Sequence, residues 1–159
     1  MRRVQPPLLR LTRPAALARD DAIVQQHLHQ FFGVVGVAFG TVLQQLRQQI
    51  GAEHAACVFD ASGPTFRDEW YADYKAHRPP MPEDLRAQIA PIHEVVRLLG
   101  WPVLEVPGIE ADDAIGTLAR IAEAEGHRVV ISTGDKDLAQ LVTDHVTLIN
   151  TMSRESLDR

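Results

Sequence analysis

The sequence predicts an α/β protein with three layers, in which helices cover both faces of a mostly parallel sheet. Short apolar runs of strand length alternate with longer amphipathic segments from residue 34 onward. The strand-like runs are mostly apolar on both of their faces, which is typical of strands covered on both sides. Glycines follow two amphipathic segments at Gly51 and Gly100, where helices commonly end. Alternation of this kind indicates parallel strands joined by right-handed crossovers.

The predicted elements follow one another at short intervals. Apolar residues at helical spacing predict helices at residues 34–50, 83–99, 109–125 and 136–142. Short apolar runs predict strands at residues 55–59, 103–106, 129–132 and 146–149. Between the first strand and the second helix, residues 64–82 are polar, aromatic and broken by prolines. Composition alone leaves this segment evenly balanced between a surface helix and a binding element.

Composition sets the class of protein. A chain of 159 residues with 45% hydrophobic and 23% charged residues is one soluble domain or a piece of one. The lone cysteine, Cys57, excludes an internal disulfide and favours a small packed residue in a cytoplasmic protein. No apolar run reaches the length of about 18 residues that a membrane span needs. The net charge of −5 neither supports nor excludes a nucleic-acid partner.

The first 33 residues differ from the rest of the chain. Residues 1–19 contain five arginines and no acid, but the absence of serine argues against an organelle transit peptide. We interpret residues 1–33 as a divergent or unstructured leader. Residues 34–159 then form the domain.

Acidic residues follow three of the predicted strands. In an open α/β sheet, ligand sites form outside the carboxyl ends of the strands, so acids from three loops are expected to meet in one crevice. Each acid has a structural alternative as a helix cap or turn residue. Taken together, however, their mutual repulsion calls for a cation. The six acids are Asp60, Glu110, Asp112, Asp113, Asp135 and Asp137.

A carboxylate-only ligand set favours Mg²⁺ or Mn²⁺ over zinc. Two such ions about 3.5–4 Å apart can activate a water and stabilise the leaving oxygen of a phosphodiester. In the segment 64–82, Arg67, Lys75 and Arg78 are candidate phosphate contacts, and Tyr74 is a candidate platform for stacking an unpaired base. The seven histidines are scattered, and no phosphate-loop pattern is present.

Four ordered motifs carry a resemblance to a known family: V-F-D-A-S-G-P-T-F-R at residues 58–67, Y-K-A-H-R-P-P-M-P at 74–82, G-I-E-A-D-D at 108–113 and S-T-G-D-K-D at 132–137. They resemble the 5′→3′ exonuclease (flap nuclease) domain of bacterial DNA polymerase I over residues 34–152. The resemblance implies a PIN-like α/β/α fold and hydrolysis of the 5′ strand in flaps, nicked duplexes and RNA primer–DNA hybrids. A polymerase domain would belong to the full-length protein.

The resemblance also implies roles for individual residues. The six acids would form a two-metal Mg²⁺ site, with Asp60, Lys75 and Arg78 as catalytic residues. Arg67, Tyr74, Lys75 and Arg78 would contact DNA.

Two departures from the family pattern bear on activity. Residues 1–33 contain no D-G-S motif after a strand, which in the family supplies a further acid, and a frameshifted start before about Val34 is one explanation. The chain also reaches Arg159 without the family's helix–turn–helix region, so we expect a partial domain. The alternative function is a catalytically incomplete DNA-binding or interaction module with the same fold. An RNA-cutting PIN nuclease is disfavoured by the long insert at residues 64–82.

Overall fold

The computed structural model describes residues 34–150 and 155–158, so the predicted leader lies outside the described residues. The described elements alternate between helices and strands, as the sequence predicts. In chain order they are α1 (Val34–Ile50), β1 (Cys57–Phe59), α2 (Phe66–Trp70), α3 (Glu83–Leu98), β2 (Val103–Glu105), α4 (Ala111–Ala124), β3 (Val129–Ser132), a 3₁₀ helix (Lys136–Leu141), β4 (Val146–Asn150) and β5 (Glu155–Leu157).

The chain divides into two compact units. The described residues of the first unit are 34–57 and 80–104, and those of the second are 58–79, 105–150 and 155–158. Strands β1 and β2 pair in a two-stranded sheet.

The first unit is built on two long helices. Helix α3 begins directly after Pro82, and Glu83 and Asp84 in its first turn complement the positive end of the helix dipole. Gly100, with a φ of 79°, follows the end of α3 in the left-handed conformation that glycine adopts at little cost. Helices α1 and α3 pack against each other. The buried side chains described for the two helices and for the residue that follows α3 are Leu43, Leu46, His93, Val95, Val96 and Leu99.

The second unit contains a three-stranded sheet. Strand β4 is central: it pairs in parallel with β3 and antiparallel with β5. Ile131 lies opposite Leu148 in the parallel pair, and both side chains are buried against helix α4 and the 3₁₀ helix. The core of this unit consists of Ala119, Ile131, Leu138, Val146 and Leu148. This core holds the carboxyl end of β3, and with it the start of the 3₁₀ helix, in place.

The structure differs from the predicted elements in three details. The predicted helix at 136–142 is a single 3₁₀ segment ending at Leu141, and 3₁₀ geometry is common in short connecting segments. Strand β5 was not predicted, because Glu155–Leu157 is short and polar in sequence. Val130 is 41% exposed, so within the described residues β3 is covered on one face only.

Cys57 is half-buried in the structure, as a packed residue is expected to be. Burial raises the pKa of the half-buried Cys57 thiol to about 12, so it stays protonated at neutral pH and is a packed residue. None of the helices in the described ranges is long and apolar enough to cross a bilayer.

Gly116 lies in the middle of helix α4, where glycine lowers helix stability. A Cβ at this position would meet only the two methyl carbons of Leu141, each at 3.7 Å, which is ordinary van der Waals contact. We therefore expect Gly116→Ala to raise the free energy of unfolding by up to about 1 kcal/mol, the helix-propensity difference between the residues. Urea unfolding followed by circular dichroism measures the change.

The matched control is Gly126→Ala. Gly126 ends helix α4 with a φ of 83°, which an alanine adopts only with strain. The control should be destabilised although open space surrounds the position. An unchanged or lower stability of Gly116→Ala would contradict the packing described for α4.

Candidate active site

All residues predicted for the site belong to the second unit. Asp60 follows strand β1, Glu110 and its neighbours start helix α4, and Asp135 follows strand β3. Acids from three loops are thus carried by the ends of three strands, as the topology predicts.

The first turn of helix α4 is held by carboxylates. The first amides of any helix lack partners inside the helix, and anionic acceptors satisfy them best. The Ala111 N–H donates to Oδ1 of Asp60 at 2.7 Å, and the Glu110 N–H donates to Oδ2 of Asp113 at 3.2 Å. Asp60 and Asp113 therefore cap the start of helix α4, which is the structural role that the sequence offered as the alternative to metal binding. Both carboxylates also lie beside other acids of the cluster.

Asp113 is bound by an arginine from helix α2. The Arg67 guanidinium donates from both terminal nitrogens to the two oxygens of Asp113, with Nη2 to Oδ1 at 2.7 Å. This fork is the strongest type of side-chain ion pair. It holds the pKa of Asp113 below its usual range, with the Glu110 amide adding to the effect. Because the folded pKa is depressed, the pair stabilises the fold above the unfolded pKa of about 3.9 and loses that contribution on acidification.

Glu110 is contacted by three residues of the segment 64–82: it accepts hydrogen bonds from two of them, and Nη1 of Arg67 forms an ion pair with its Oε2 at 3.8 Å. Lys75 Nζ donates to Oε1 at 2.5 Å, and the Tyr74 hydroxyl donates to Oε2 at 3.1 Å. Lys75 has a φ of 55°, a left-handed conformation that costs a non-glycine residue about 1–2 kcal/mol. Residues kept in strained conformations are concentrated at functional sites. Lys75 and Tyr74, predicted as DNA contacts, thus lie against a predicted metal-site acid.

The surroundings of Asp112 raise its pKa, whereas those of Asp113 lower it. Desolvation raises the pKa of Asp112, and the negative charges of Asp135, Asp60 and Glu110 raise it further. No cation in the described ranges forms an ion pair with it. The ionised Asp112 carboxylate is therefore disfavoured by its surroundings at neutral pH.

This repulsion predicts a stabilising substitution. Because the folded pKa of Asp112 is raised, its ionised form lowers stability at neutral pH and the cost disappears on acidification. We expect Asp112→Asn to raise the free energy of unfolding in EDTA at pH 7 by a few tenths of a kcal/mol, the scale of exposed charge interactions. The gain should shrink at pH 4 and in high salt. A loss of stability in thermal melts at pH 7 would contradict this electrostatic account.

Asp135 and Asp137 start the 3₁₀ helix. The Asp137 N–H donates to Oδ1 of Asp135 at 2.9 Å, so Asp135 caps this segment while its charge acts on Asp112. In the described part of the chain, no hydrogen bond or ion pair joins the Asp137 carboxylate to the other five acids. Hydrogen bonds and electrostatic interactions connect Asp60, Glu110, Asp112, Asp113 and Asp135, and Asp137 lies in the first turn of the 3₁₀ helix, two residues after Asp135.

A cleft of about 220 Å³ opens beside the acids. Its lining includes Asp60 and Glu110 as well as Tyr74 and Lys75, the residues that bind Glu110. Arg78 lies on an exposed turn closed by its own N–H to the Lys75 carbonyl at 2.9 Å. Its guanidinium makes no ion pair with the acids within the described residues.

Sequence reasoning missed two contributors to the site. Asp68 accepts hydrogen bonds from the Thr65 N–H at 2.7 Å and the Thr65 hydroxyl at 2.9 Å, which caps the five-residue helix α2. The Phe66 N–H donates to the Gly108 carbonyl at 3.0 Å, joining α2 to the loop before Glu110. The T-x-x-D spacing at residues 65–68 resembles a capping box and is the signal that could have revealed Asp68. The contact to Gly108 has no sequence signal.

The donor set fits a hard divalent cation. The converging groups are carboxylate oxygens, which are the ligands that Mg²⁺ and Mn²⁺ take, and Asp112 is an acid whose ionisation a cation would favour. Across the described residues, no three acid, histidine or cysteine side chains are already arranged as a formed metal site. Glu110 and Asp113 are instead neutralised by Lys75 and Arg67.

Strands that alternate with helices and are followed by acids are typical of an α/β domain with a ligand site beyond its strand ends. The chain belongs to the family of 5′-3′ exonuclease N-terminal resolvase-like domains, whose model matches residues 23–159. The resemblance to the exonuclease domain of DNA polymerase I, predicted from four motifs, is confirmed.

Curated relatives agree with this assignment. DNA polymerase I of Pseudomonas aeruginosa is 60% identical over 117 residues, which are 74% of this chain and 13% of that protein. The 5′-3′ exonuclease of Buchnera aphidicola is 46% identical over 101 residues, 64% of this chain and 33% of that protein. The chain thus spans about an eighth to a third of the length of these relatives.

Solved structures confirm the fold class. A T5 5′-exonuclease with bound divalent zinc ions superposes with a TM-score of 0.63 at 19% identity, covering 86% of this chain and 54% of that one. A T5 flap endonuclease in a pseudo-enzyme-product complex with DNA and metal ions has a TM-score of 0.61 at 18% identity, with the same coverage. The predicted α/β, resolvase-like fold is therefore correct.

Proposed function

We propose that this chain is a divalent-metal-dependent 5′-3′ nuclease domain that hydrolyses phosphodiester bonds of DNA. The observation that carries the proposal is the environment of Asp112: three further acids raise its pKa, Lys75 offsets them only in part, and no cation in the described ranges forms an ion pair with it. An acid that lacks an ion-pair partner beside other acids, as Asp112 does, is suited to binding a metal ion. Family membership supports the same conclusion.

Asp60, Asp112 and Asp135 are the acids we propose to hold the metal, with Glu110, Asp113 and Asp137 beside them. Mg²⁺ is the proposed ion and Mn²⁺ a substitute, since carboxylate oxygens suit both. When bound, such ions lower the pKa of an attacking water and stabilise the leaving oxygen. The metal-bound T5 exonuclease has the same fold.

We propose that the segment 64–82 contacts the DNA strand. Lys75 lines the cleft, where its ammonium group can stabilise charge on a phosphate oxygen while remaining near Glu110. Arg78 is exposed and available to a phosphate, and Tyr74 presents a ring that Lys75 covers at 5.1 Å on one side. Asp60, Lys75 and Arg78 are the proposed catalytic residues. Arg67 is the weakest of the predicted phosphate contacts, because its donors are already used by Asp113.

The proposed substrates are 5′ flaps, nicked duplexes and RNA primer–DNA hybrids. The T5 flap endonuclease with DNA supports a DNA substrate through its shared fold. A polymerase domain in the same full-length protein is the proposed partner, since similar chains carry the name DNA polymerase I.

One observation favours a second function. Glu110 and Asp113 are already neutralised by Lys75 and Arg67, and the described residues contain no formed three-ligand metal site. A catalytically incomplete DNA-binding module with this fold is therefore the alternative.

Cleavage of a labelled 5′-flap duplex distinguishes the two functions. The nuclease proposal predicts Mg²⁺-dependent release of the flap, abolished by EDTA and restored by Mn²⁺. An all-RNA flap run in parallel tests whether the chain is instead an RNA-cutting nuclease. Gel-shift binding of the DNA flap without cleavage at any Mg²⁺ or Mn²⁺ concentration would leave the binding module as the function.

A further inference from the structure

The six acids do not have equivalent surroundings, and Asp113 differs most. Its two oxygens accept both terminal nitrogens of Arg67, and Oδ2 also accepts the Glu110 N–H at 3.2 Å. Three donors on one carboxylate leave little of its acceptor capacity for a metal ion. Asp112, the adjacent residue in the same helical turn, has no such donors within the described residues.

Arg67 is held in position for this contact by its own surroundings. It lies in α2, a helix of five residues that cannot be stable by itself. The helix is held at its start by the Thr65–Asp68 hydrogen bonds and by the Phe66 N–H bond to Gly108. The guanidinium lies over the Phe66 ring, 4.6 Å from its centroid, which fixes the plane of the fork. The fork therefore links two chain segments 46 positions apart.

We propose that Arg67 and Asp113 form a positioning pair: they fix the first turn of helix α4 against helix α2, and Asp113 is not itself a metal ligand. The inference rests on the proposed metal-dependent function and deepens it. The pair sets the direction in which Asp112 and Glu110 leave the helix start, because the Glu110 amide and the Arg67 fork bind the same carboxylate. Arg67 thereby acts on the acids and not on a DNA phosphate.

The alternative is that Asp113 is a metal ligand, and that Arg67 binds it only until a metal ion displaces the guanidinium. The two explanations predict opposite effects of Arg67→Met on metal binding. Removing a competitor would tighten the binding of a metal to Asp113. Removing a positioning partner should weaken it, by about the tenfold typical of residues that orient metal ligands.

The test is a double-variant cycle on the whole chain, with Mn²⁺ binding measured by calorimetry and thermal unfolding measured in EDTA. Arg67→Met, Asp113→Asn and the double variant form the cycle. Arg67→Lys retains the charge but cannot form the fork, so it should bind Mn²⁺ as weakly as Arg67→Met. Asp112→Asn serves as the matched neighbour that removes an acid proposed to be a ligand.

We expect Arg67→Met and Asp113→Asn each to weaken Mn²⁺ binding about tenfold and to lower the unfolding temperature, and the double variant to do no worse than either single one. Asp112→Asn should weaken binding without lowering the unfolding temperature. Tighter Mn²⁺ binding by Arg67→Met, or additive losses in the double variant, would overturn the positioning role. If the wild-type chain binds no Mn²⁺, the proposed function fails, and the unfolding cycle in EDTA alone decides whether the pair exists.

Discussion

Asp135→Asn is expected to reduce flap cleavage by about 1000-fold, because the loss of one charge from the proposed metal site removes several kcal/mol of transition-state stabilisation. The substitution is well suited to separate chemistry from folding. Asp135 caps the 3₁₀ helix through the Asp137 N–H at 2.9 Å, and asparagine caps helices as well as aspartate does. The loss of charge is therefore the main change at a site whose charge acts on Asp112. Single-turnover cleavage at saturating Mg²⁺ gives the rate.

Asp84→Asn is the control for the Asp135 variant. Asp84 lies in the first turn of helix α3, where Oδ1 accepts the Leu85 N–H at 3.0 Å, so the same charge is removed from an acid outside the proposed site. Its cleavage rate should match that of the wild-type chain. Full activity of Asp135→Asn would contradict the assignment of Asp135 to the metal site.

The largest loss of stability is expected from Leu138→Ala. Leu138 is 4% exposed and packs among Ile131, Val146 and Leu148 in the core of the second unit. Deleting a buried leucine side chain costs the free energy of its transfer from water and that of the cavity, about 2–5 kcal/mol in total. Because Leu138 belongs to the 3₁₀ helix that starts at Asp135, cleavage should fall as well. Urea unfolding measures the stability.

The matched substitution is Ile121→Ala on helix α4. The Ile121 side chain is 52% exposed, so the change should cost less than about 0.5 kcal/mol, as is usual for surface positions. Equal losses for Leu138→Ala and Ile121→Ala would show that the described core does not stabilise the second unit.

Much of the architecture follows from local patterning. The helix predicted at 34–50 matches α1 as far as Ile50, and the strand predicted at 129–132 matches β3. Hydrophobic periodicity and terminal glycines determine such elements, because they are properties of a few adjacent residues. The prediction was less accurate where the type of element depends on contacts with other segments. Residues 136–141 form a 3₁₀ helix. Residues 155–157 form strand β5 because they pair with β4. The predicted leader at 1–33 stays a prediction.

In the candidate site, too, some features follow from the local sequence and others depend on contacts between distant segments. Their positions after strand ends predicted that six acids converge, and the structure connects five of them, Asp60, Glu110, Asp112, Asp113 and Asp135, by hydrogen bonds or electrostatic interactions. Their role as metal ligands, and the place of Asp137 among them, stay predictions. The pairing of Arg67 with Asp113 and of Lys75 with Glu110 was not predictable, since each joins residues far apart in the chain. Only the assembled structure separates a neutralised acid such as Asp113 from an acid in repulsive surroundings such as Asp112.

The sequence by itself determined which acids follow the ends of strands, because the order of strands and loops is encoded locally. The tertiary structure decided which of those acids remain available to a cation. Whether a carboxylate is available depends on the charged and hydrogen-bonding groups that surround it in the folded chain. Desolvation and the nearby acids raise the pKa of Asp112, whereas the Arg67 fork lowers that of Asp113, one residue away.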